Sequence, residues 1–456
     1  MGGHVSEPPE RIVESAGEEM YQWARQLYPL CRSLTGEGTR QTLRYLQNML
    51  PGMQLVEVPS GTRAFDWEVP PEWNIRGGFI ADARGRVLVD FADHNLHVVG
   101  YSEPVDRWMS REELEGHLYS IASQPDAIPY VTSFYERRWG FCLTHRQRQA
   151  LGEGPFHVVI DSTLEAGSLT YGELLIEGES RREVLLSTYV CHPSMANNEL
   201  SGPVVTAALA RWLLSERRQL SYRVVFVPET IGSIVYLSRH AEEMRRRTIA
   251  GFVVTCVGDE RTYSYLPSRR GDTLADRVAR HVLKHHAGHF DAYSFLDRGS
   301  DERQYGAVGI DLPVALMMRS KFHTYPEYHT SLDDLSVISA KGLEGAYQAH
   351  QRAIEVLEHN ARWRTTVLCE PQLGRRGLHP TLSTRDGGRR DRRVKAMRNL
   401  LAYADGSLDL VGLAEAVELP AWECVPLLQT LEREGLLVRV CEGDGEGSRG
   451  REAFGE

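Results

Sequence analysis

No stretch of the 456-residue sequence approaches the roughly 18 consecutive apolar residues that a membrane-spanning helix needs. The opening MGGHVSEPPERIVESAGEEM also has no basic start followed by an apolar run. These absences argue against a membrane partner and predict a cytoplasmic protein. Cysteine is scarce: seven residues, odd in number and widely spaced, contain no CxxC pair, so neither a disulfide framework nor a cysteine zinc knuckle is indicated. Excess positive charge is missing too. The 52 basic residues are outnumbered by 62 acidic ones, and a net charge of −10 speaks against gripping phosphate backbones, so nucleic acid is not an expected partner. There is no HExxH metal motif and no repeat of solenoid period.

What is there is ordinary globular text, 42% hydrophobic and 25% charged, long enough for two or three domains. From Phe156 to His359 unbroken apolar runs (VLLSTYV, YRVVFV, GFVVTCV, LPVALMM) alternate with amphipathic helical segments. That alternation predicts an α/β fold with a mostly parallel sheet flanked by helices. Residues 61–153 read differently: Pro and Trp interleave with short alternating runs, which predicts an inserted β-rich domain with a helix near Ser110 to Ser123. Residues 1–60 and 154–370 are expected to form the catalytic body, 371–393 a Gly/Arg-rich linker, and 394–456 a small winged-helix domain.

In open parallel sheets, ligands collect beyond the carboxyl ends of the strands. Four such ends carry ligand-type side chains: CHPSMANNELSG supplies His192, Asn198 and Glu199; PETIGS supplies Glu229; the text after GFVVTCV supplies Asp259; and EYHTSLDDL supplies His329 and Asp333. Two neutral imidazoles and a carboxylate are the minimum set for one zinc-like ion with an open position, and a nearby carboxylate can take a proton from water. For Glu199, a helix-start acid complementing the dipole is an equal alternative to a ligand, and Asp333 reads either as a partner orienting His329 or as a cap.

The ordered set CHPS, NNELSG, PETIGS and YHTSLDDL resembles the di-zinc aminopeptidases, and FDWEVPPEW, IPYVTSFYERRWGF and SYLPSRRGDTLADR resemble a bacterial aminopeptidase-like group with an inserted β-rich domain and a C-terminal winged helix. The resemblance implies a zinc-exopeptidase-like fold, with His192 and His329 as metal ligands and Glu229 on the general-base position. It also implies a small peptide or amide-linked biosynthetic intermediate as substrate, since such groups occur beside polysaccharide and secondary-metabolite synthesis. Departures from the pattern are equally informative. Ser194 replaces the Asp that orients the first His, Asn198 the bridging Asp, Thr230 a ligand Glu and Thr255 a ligand Asp. One zinc ion is therefore expected, held by His192, His329 and a displaced carboxylate, Glu199 first and Asp259 second, with Glu229 as base or ligand.

Substrate-binding candidates are Asp301 and Glu302, for an ammonium group, and Tyr130, Tyr135, Arg138 and Trp139 as a wall from the insert. Solvated loop charge and core packing are the plain alternatives for these two sets. Cys191 ends a buried strand and reads as a packed thiol rather than a nucleophile. The winged helix's third helix carries Glu423, Glu432 and Glu434 against Arg433, which favours protein contact or self-association over DNA. Two other classes remain open: a binding or scaffolding protein that lost its carboxylates, and a ligand-sensing regulator.

Overall fold

The central strands are apolar without alternation because they are covered on both faces. In the computed structural model, which describes residues 15–134, 136–378 and 389–440, Ser221–Val227, Glu183–Tyr189, Thr248–Val253 and Val314–Met318 lie side by side and parallel. Every residue of Glu183–Tyr189 is buried. The edges are antiparallel: Ser168–Ile176 and Gln54–Pro59 extend one side, and Ser264–Leu266 pairs antiparallel with Val314–Met318 on the other, followed by Asp291–Ala292. Helices Ala16–Leu27, Ser201–Leu214, Leu274–His286 and Ala340–Glu358 pack on one face, and Ile231–Arg247 on the opposite face. Among the described residues no helix is long and apolar enough to cross a membrane.

The insert forms its own four-stranded antiparallel sheet, and that sheet runs past residue 153. Phe156–Glu165 pairs with Glu72–Asp82 along its whole length. FHVVIDSTLE alternates buried and partly exposed residues, the pattern of a one-sided sheet, although it leads directly into Ser168–Ile176 of the main sheet. The expected helix near Ser110 contracts to Arg111–Glu115, started by a Ser110/Glu113 capping box. The insert reaches the body built on the main sheet through a short pairing: Tyr130 N–H donates to His329 O (2.9 Å) and Ser331 N–H to Ile128 O (2.9 Å).

The winged helix comprises helices Arg389–Tyr403, Leu410–Ala416 and Ala421–Arg433 with a three-stranded sheet of Arg362–Thr365, Asp405–Asp409 and Leu437–Val440. Its sheet thus draws a strand from before the 371–393 segment. Its hydrophobic core is continuous with that on one face of the main sheet. The first turn of Ala421–Arg433 is docked: Ala421 N–H donates to His281 Nε2 (2.9 Å), and Arg352 lies over the Trp422 ring (4.3 Å). Tyr135, most of the second half of the 371–393 segment, and 441–456 lie outside the described residues.

Candidate active site

Adjacent parallel strands bring the first two side chains together. His192 follows Glu183–Tyr189 and Glu229 follows Ser221–Val227, which places His192 Nε2 3.7 Å from Glu229 Oε2. His329, in the loop beyond Val314–Met318, completes the group with its ring centroid 5.4 Å from that of His192. Tyr130 from the insert lies against both imidazoles, 5.1 Å from each. These residues, with Trp67, Glu68, Phe134, Thr230 and Arg303, line a cavity of about 290 Å³.

His192 is fixed from behind. Its Nδ1–H donates to Glu199 Oε2 (3.0 Å), leaving Nε2 turned to the cavity. Glu199 is fully buried; its other oxygen accepts from Cys191 N–H (2.9 Å) and lies 3.2 Å from Arg32 Nε. Glu199 therefore orients the imidazole from its Nδ1 side, away from the cavity that His192 Nε2, Glu229 and His329 share, and so does not join that group, where the sequence reading placed it. Ser194, two residues on, makes no hydrogen bond to the His192 ring; its Oγ donates to Tyr28 O (2.8 Å). Arg32 is held further by the carbonyls of His192 (2.9 Å) and Leu27 (2.7 Å). Burial pushes the Cys191 thiol up to about 11, so a packed thiol is what the structure shows. Burial, and then the neighbouring His192, hold His329 well below the ordinary imidazole range, so it is neutral. Neither of its ring nitrogens has a hydrogen-bond partner among the described residues.

The backbone beside the site is strained. Thr230 (φ 66°) and His329 (φ 55°) both occupy the left-handed region, unfavourable for a β-branched residue above all. Thr230 is held there by Asp301 Oδ1, which accepts its N–H (2.7 Å), and by Arg303 Nη2, which donates to its Oγ1 (2.8 Å). Asp301 is fully buried, also accepts from Ser233 Oγ (2.7 Å), and burial followed by the Glu229 charge raises its carboxyl to about 7. Glu302 is buried as well, accepting the N–H groups of Gly299 (2.7 Å) and Ser300 (3.1 Å). Neither lines the cavity, so the expected ammonium-binding pair is a framework pair.

Asp333 does not touch His329. Its two oxygens accept Asn197 N–H (2.7 Å) and Asn198 N–H (2.9 Å), and Tyr325 OH donates to it at 3.1 Å. It caps the π-helical turn Ala196–Leu200 that carries Glu199, and burial raises its carboxyl to about 6. The expected catalytic or orienting role gives way to a capping one. Asp259 is consumed by Ser320 N–H and Oγ (2.9 Å each), Arg261 N–H (2.8 Å) and Asn197 Nδ2 (3.1 Å), while Asn198 Oδ1 accepts Tyr189 OH (2.9 Å). Neither lines the cavity as an added ligand would. Gly202, which follows this turn, has no room for a side chain: a Cβ would stand 2.3 Å from Val254 O.

From the insert, Tyr130 reaches the site, whereas Arg138 turns to Thr132 O (2.8 Å) and Trp139 stacks on His117 (3.6 Å). Trp67, for which core packing is the plain expectation, is instead half-buried and lines the cavity, while nothing in the sequence reading singles out Arg32 or Arg303. A lone arginine in the apolar-flanked LCRSLTG is a faint signal for Arg32; Arg303 sat beside the acids that drew attention to its loop.

Residues 21–360 match the domain of unknown function DUF4910, and 361–439 match a winged helix-turn-helix. A Clostridium acetobutylicum protein, provisionally named a polysaccharide biosynthesis protein with aminopeptidase-like domain, is 41% identical over 401 residues, 87% of this chain and 91% of the relative. The crystal structure of a protein from the same organism, provisionally named a peptidase, superposes with a TM-score of 0.87 at 39% identity, covering 93% of this chain and 96% of that one. A zinc aminopeptidase from Bacillus subtilis shares the fold at a TM-score of 0.54 and 13% identity, over 76% of this chain and 96% of its own. The chain therefore belongs to the DUF4910 family, a bacterial aminopeptidase-like group that joins an aminopeptidase-type fold to a C-terminal winged helix.

Proposed function

We propose that this protein is a single-metal hydrolase of a peptide or amide bond in a small substrate, peptide or biosynthetic intermediate. The observation that carries this reading is the convergence of two imidazoles, each with a nitrogen free of hydrogen bonds, and the Glu229 carboxylate on one cavity. The donor types suit a zinc-like ion: His192 Nε2 and Glu229 Oε2 would hold it, and His329, whose ring is 5.4 Å from that of His192, would have to close on it, since the three donor atoms do not all lie within 4.8 Å of one another. Two ligands of one tetrahedral ion stand roughly 3.4 Å apart at bond lengths of about 2.05 Å, and the 3.7 Å between His192 and Glu229 is close to that. Cys191, His192 Nδ1 and Glu199 do lie within 4.8 Å of one another, but there Nδ1 donates to Glu199, whose charge faces Arg32, so that side is already satisfied.

Such an ion supplies Lewis acidity toward water and an amide carbonyl. The chain's own part is as follows. Glu199 and Arg32 fix the tautomer of His192. Glu229, with a second oxygen, accepts a proton from water in the cavity and returns it to the leaving amine. Tyr130, its hydroxyl kept protonated by burial, closes the cavity over both imidazoles.

The winged helix is read as a docked accessory and a surface for protein contact rather than a DNA reader. Recognition helices present their N-terminal residues to base edges, and here that turn is engaged with His281 and Arg352. The test of the hydrolase reading is release of amine from a panel of amino-acyl and N-acyl amides by zinc-loaded protein. Chelator-sensitive turnover, restored by zinc and lost in Glu229→Gln, is expected. No turnover with any amide by fully loaded protein would leave a binding or scaffolding protein.

A further inference from the structure

We propose that the substrate carries a carboxylate and that Arg303 selects it; this rests on the amide-hydrolase reading and names the substrate class of that same site. Arg303 lines the cavity together with His192, Glu229 and His329. Its Nε donates to Ser300 O (2.9 Å) and Nη2 to Thr230 Oγ1 (2.8 Å), so the guanidinium is held in place before any ligand arrives. Nη1 has no hydrogen-bond partner, and Arg303 makes no ion pair within 4 Å among the described residues. Three other shielded arginines are paired, Arg32 with Glu199, Arg40 with Glu72 and Arg223 with Glu183, while the buried Arg319, which has no ion pair, is covered by the Tyr263 ring (3.9 Å) as Arg303 is not. The acid nearest in sequence, Asp301, is turned onto Thr230 and Ser233.

A partly shielded cation with no carboxylate within 4 Å, pre-positioned in the cavity that His192, Glu229 and His329 line, is a receptor for an anion. A planar guanidinium matches a carboxylate in both charge and shape. For the converse substrate, one with a free α-ammonium, Asp301 and Glu302 are buried and occupied and Glu229 faces His192, which leaves the exposed Glu68 at the cavity's rim as its only receptor among these acids. Trp67, Tyr130 and Phe134 supply apolar wall, and about 290 Å³ is room for a small molecule. The class is thus an N-acyl amino acid, cut at its amide, with the carboxylate on Arg303.

The test is calorimetric binding of N-benzoylglycine, its uncharged amide N-benzoylglycinamide, and glycine anilide, which bears the amine instead, to the full-length protein. Wild type is expected to bind N-benzoylglycine at least tenfold tighter than its amide. Arg303→Gln should bring the two within twofold by weakening the acid alone, and Arg303→Lys, which keeps the charge without the fork, should retain part of the preference. Equal binding of acid and amide by wild type, or tighter binding of glycine anilide, overturns the proposal without recourse to any variant. Selective binding with no hydrolysis would leave Arg303 its role and remove the hydrolase reading. Hydrolysis of glycine anilide by wild type and Arg303→Gln alike would remove the role of Arg303 and leave the hydrolase reading.

Discussion

Glu199→Gln replaces one oxygen by an amide nitrogen where three donors meet: His192 Nδ1 at 3.0 Å, Cys191 N at 2.9 Å and Arg32 Nε at 3.2 Å. Glutamine has a single acceptor oxygen, so one side of this junction must face an NH₂ group. A buried donor left unsatisfied costs about 1–3 kcal/mol, and a buried ion pair broken on one side about 3–5 kcal/mol. The two overlap at one residue and do not add, so about 3–5 kcal/mol of stability should be lost. The metal should feel the change separately. Partners behind a ligating histidine typically govern affinity by about 10–100-fold, or about 1.4–2.7 kcal/mol. Urea denaturation of the metal-free protein reads the first quantity, and zinc competition against a chromogenic chelator reads the second. Zinc affinity within twofold of wild type would refute the claim that Glu199 sets the tautomer of His192.

Asp333→Ala removes the acceptor of Asn197 N–H, Asn198 N–H and Tyr325 OH and should cost about 3 kcal/mol or more, seen as a lower urea midpoint. An unchanged midpoint would rule out its capping role. The Arg40 guanidinium beside Glu72 holds that carboxyl down at about 2, below its unfolded value near 4.5. Its stabilisation is therefore complete above pH 4.5 and lost as the pH falls toward 2, and Glu72→Gln should flatten the acid limb of the stability curve by about 1 kcal/mol after solvent screening. An acid limb identical in both proteins would contradict this.

The central strands were legible because VLLSTYV, YRVVFV and LPVALMM are buried on both faces, and strand-end placement found His192, Glu229 and His329. The carboxylates were less legible. Whether Glu199, Asp259, Asp301 or Asp333 faces a cavity or a backbone N–H depends on the path of each loop, and nothing in residue type or spacing records it. Thr230 illustrates the difficulty: only the folded contacts with Asp301 and Arg303 show that it is a strained turn held beside Glu229. The domain borders blurred where an element changes sheets without a break, as FHVVIDSTLE does, or where a strand is short and charged, as Arg362–Thr365 is.

The central claim is a single ion held between the two imidazoles and Glu229. Elemental analysis of zinc-loaded, gel-filtered protein should find about one zinc per chain in wild type and almost none in His192→Ala and His329→Ala, with all three folded by circular dichroism. A wild type that takes up no metal, or full occupancy in both variants, would contradict the account.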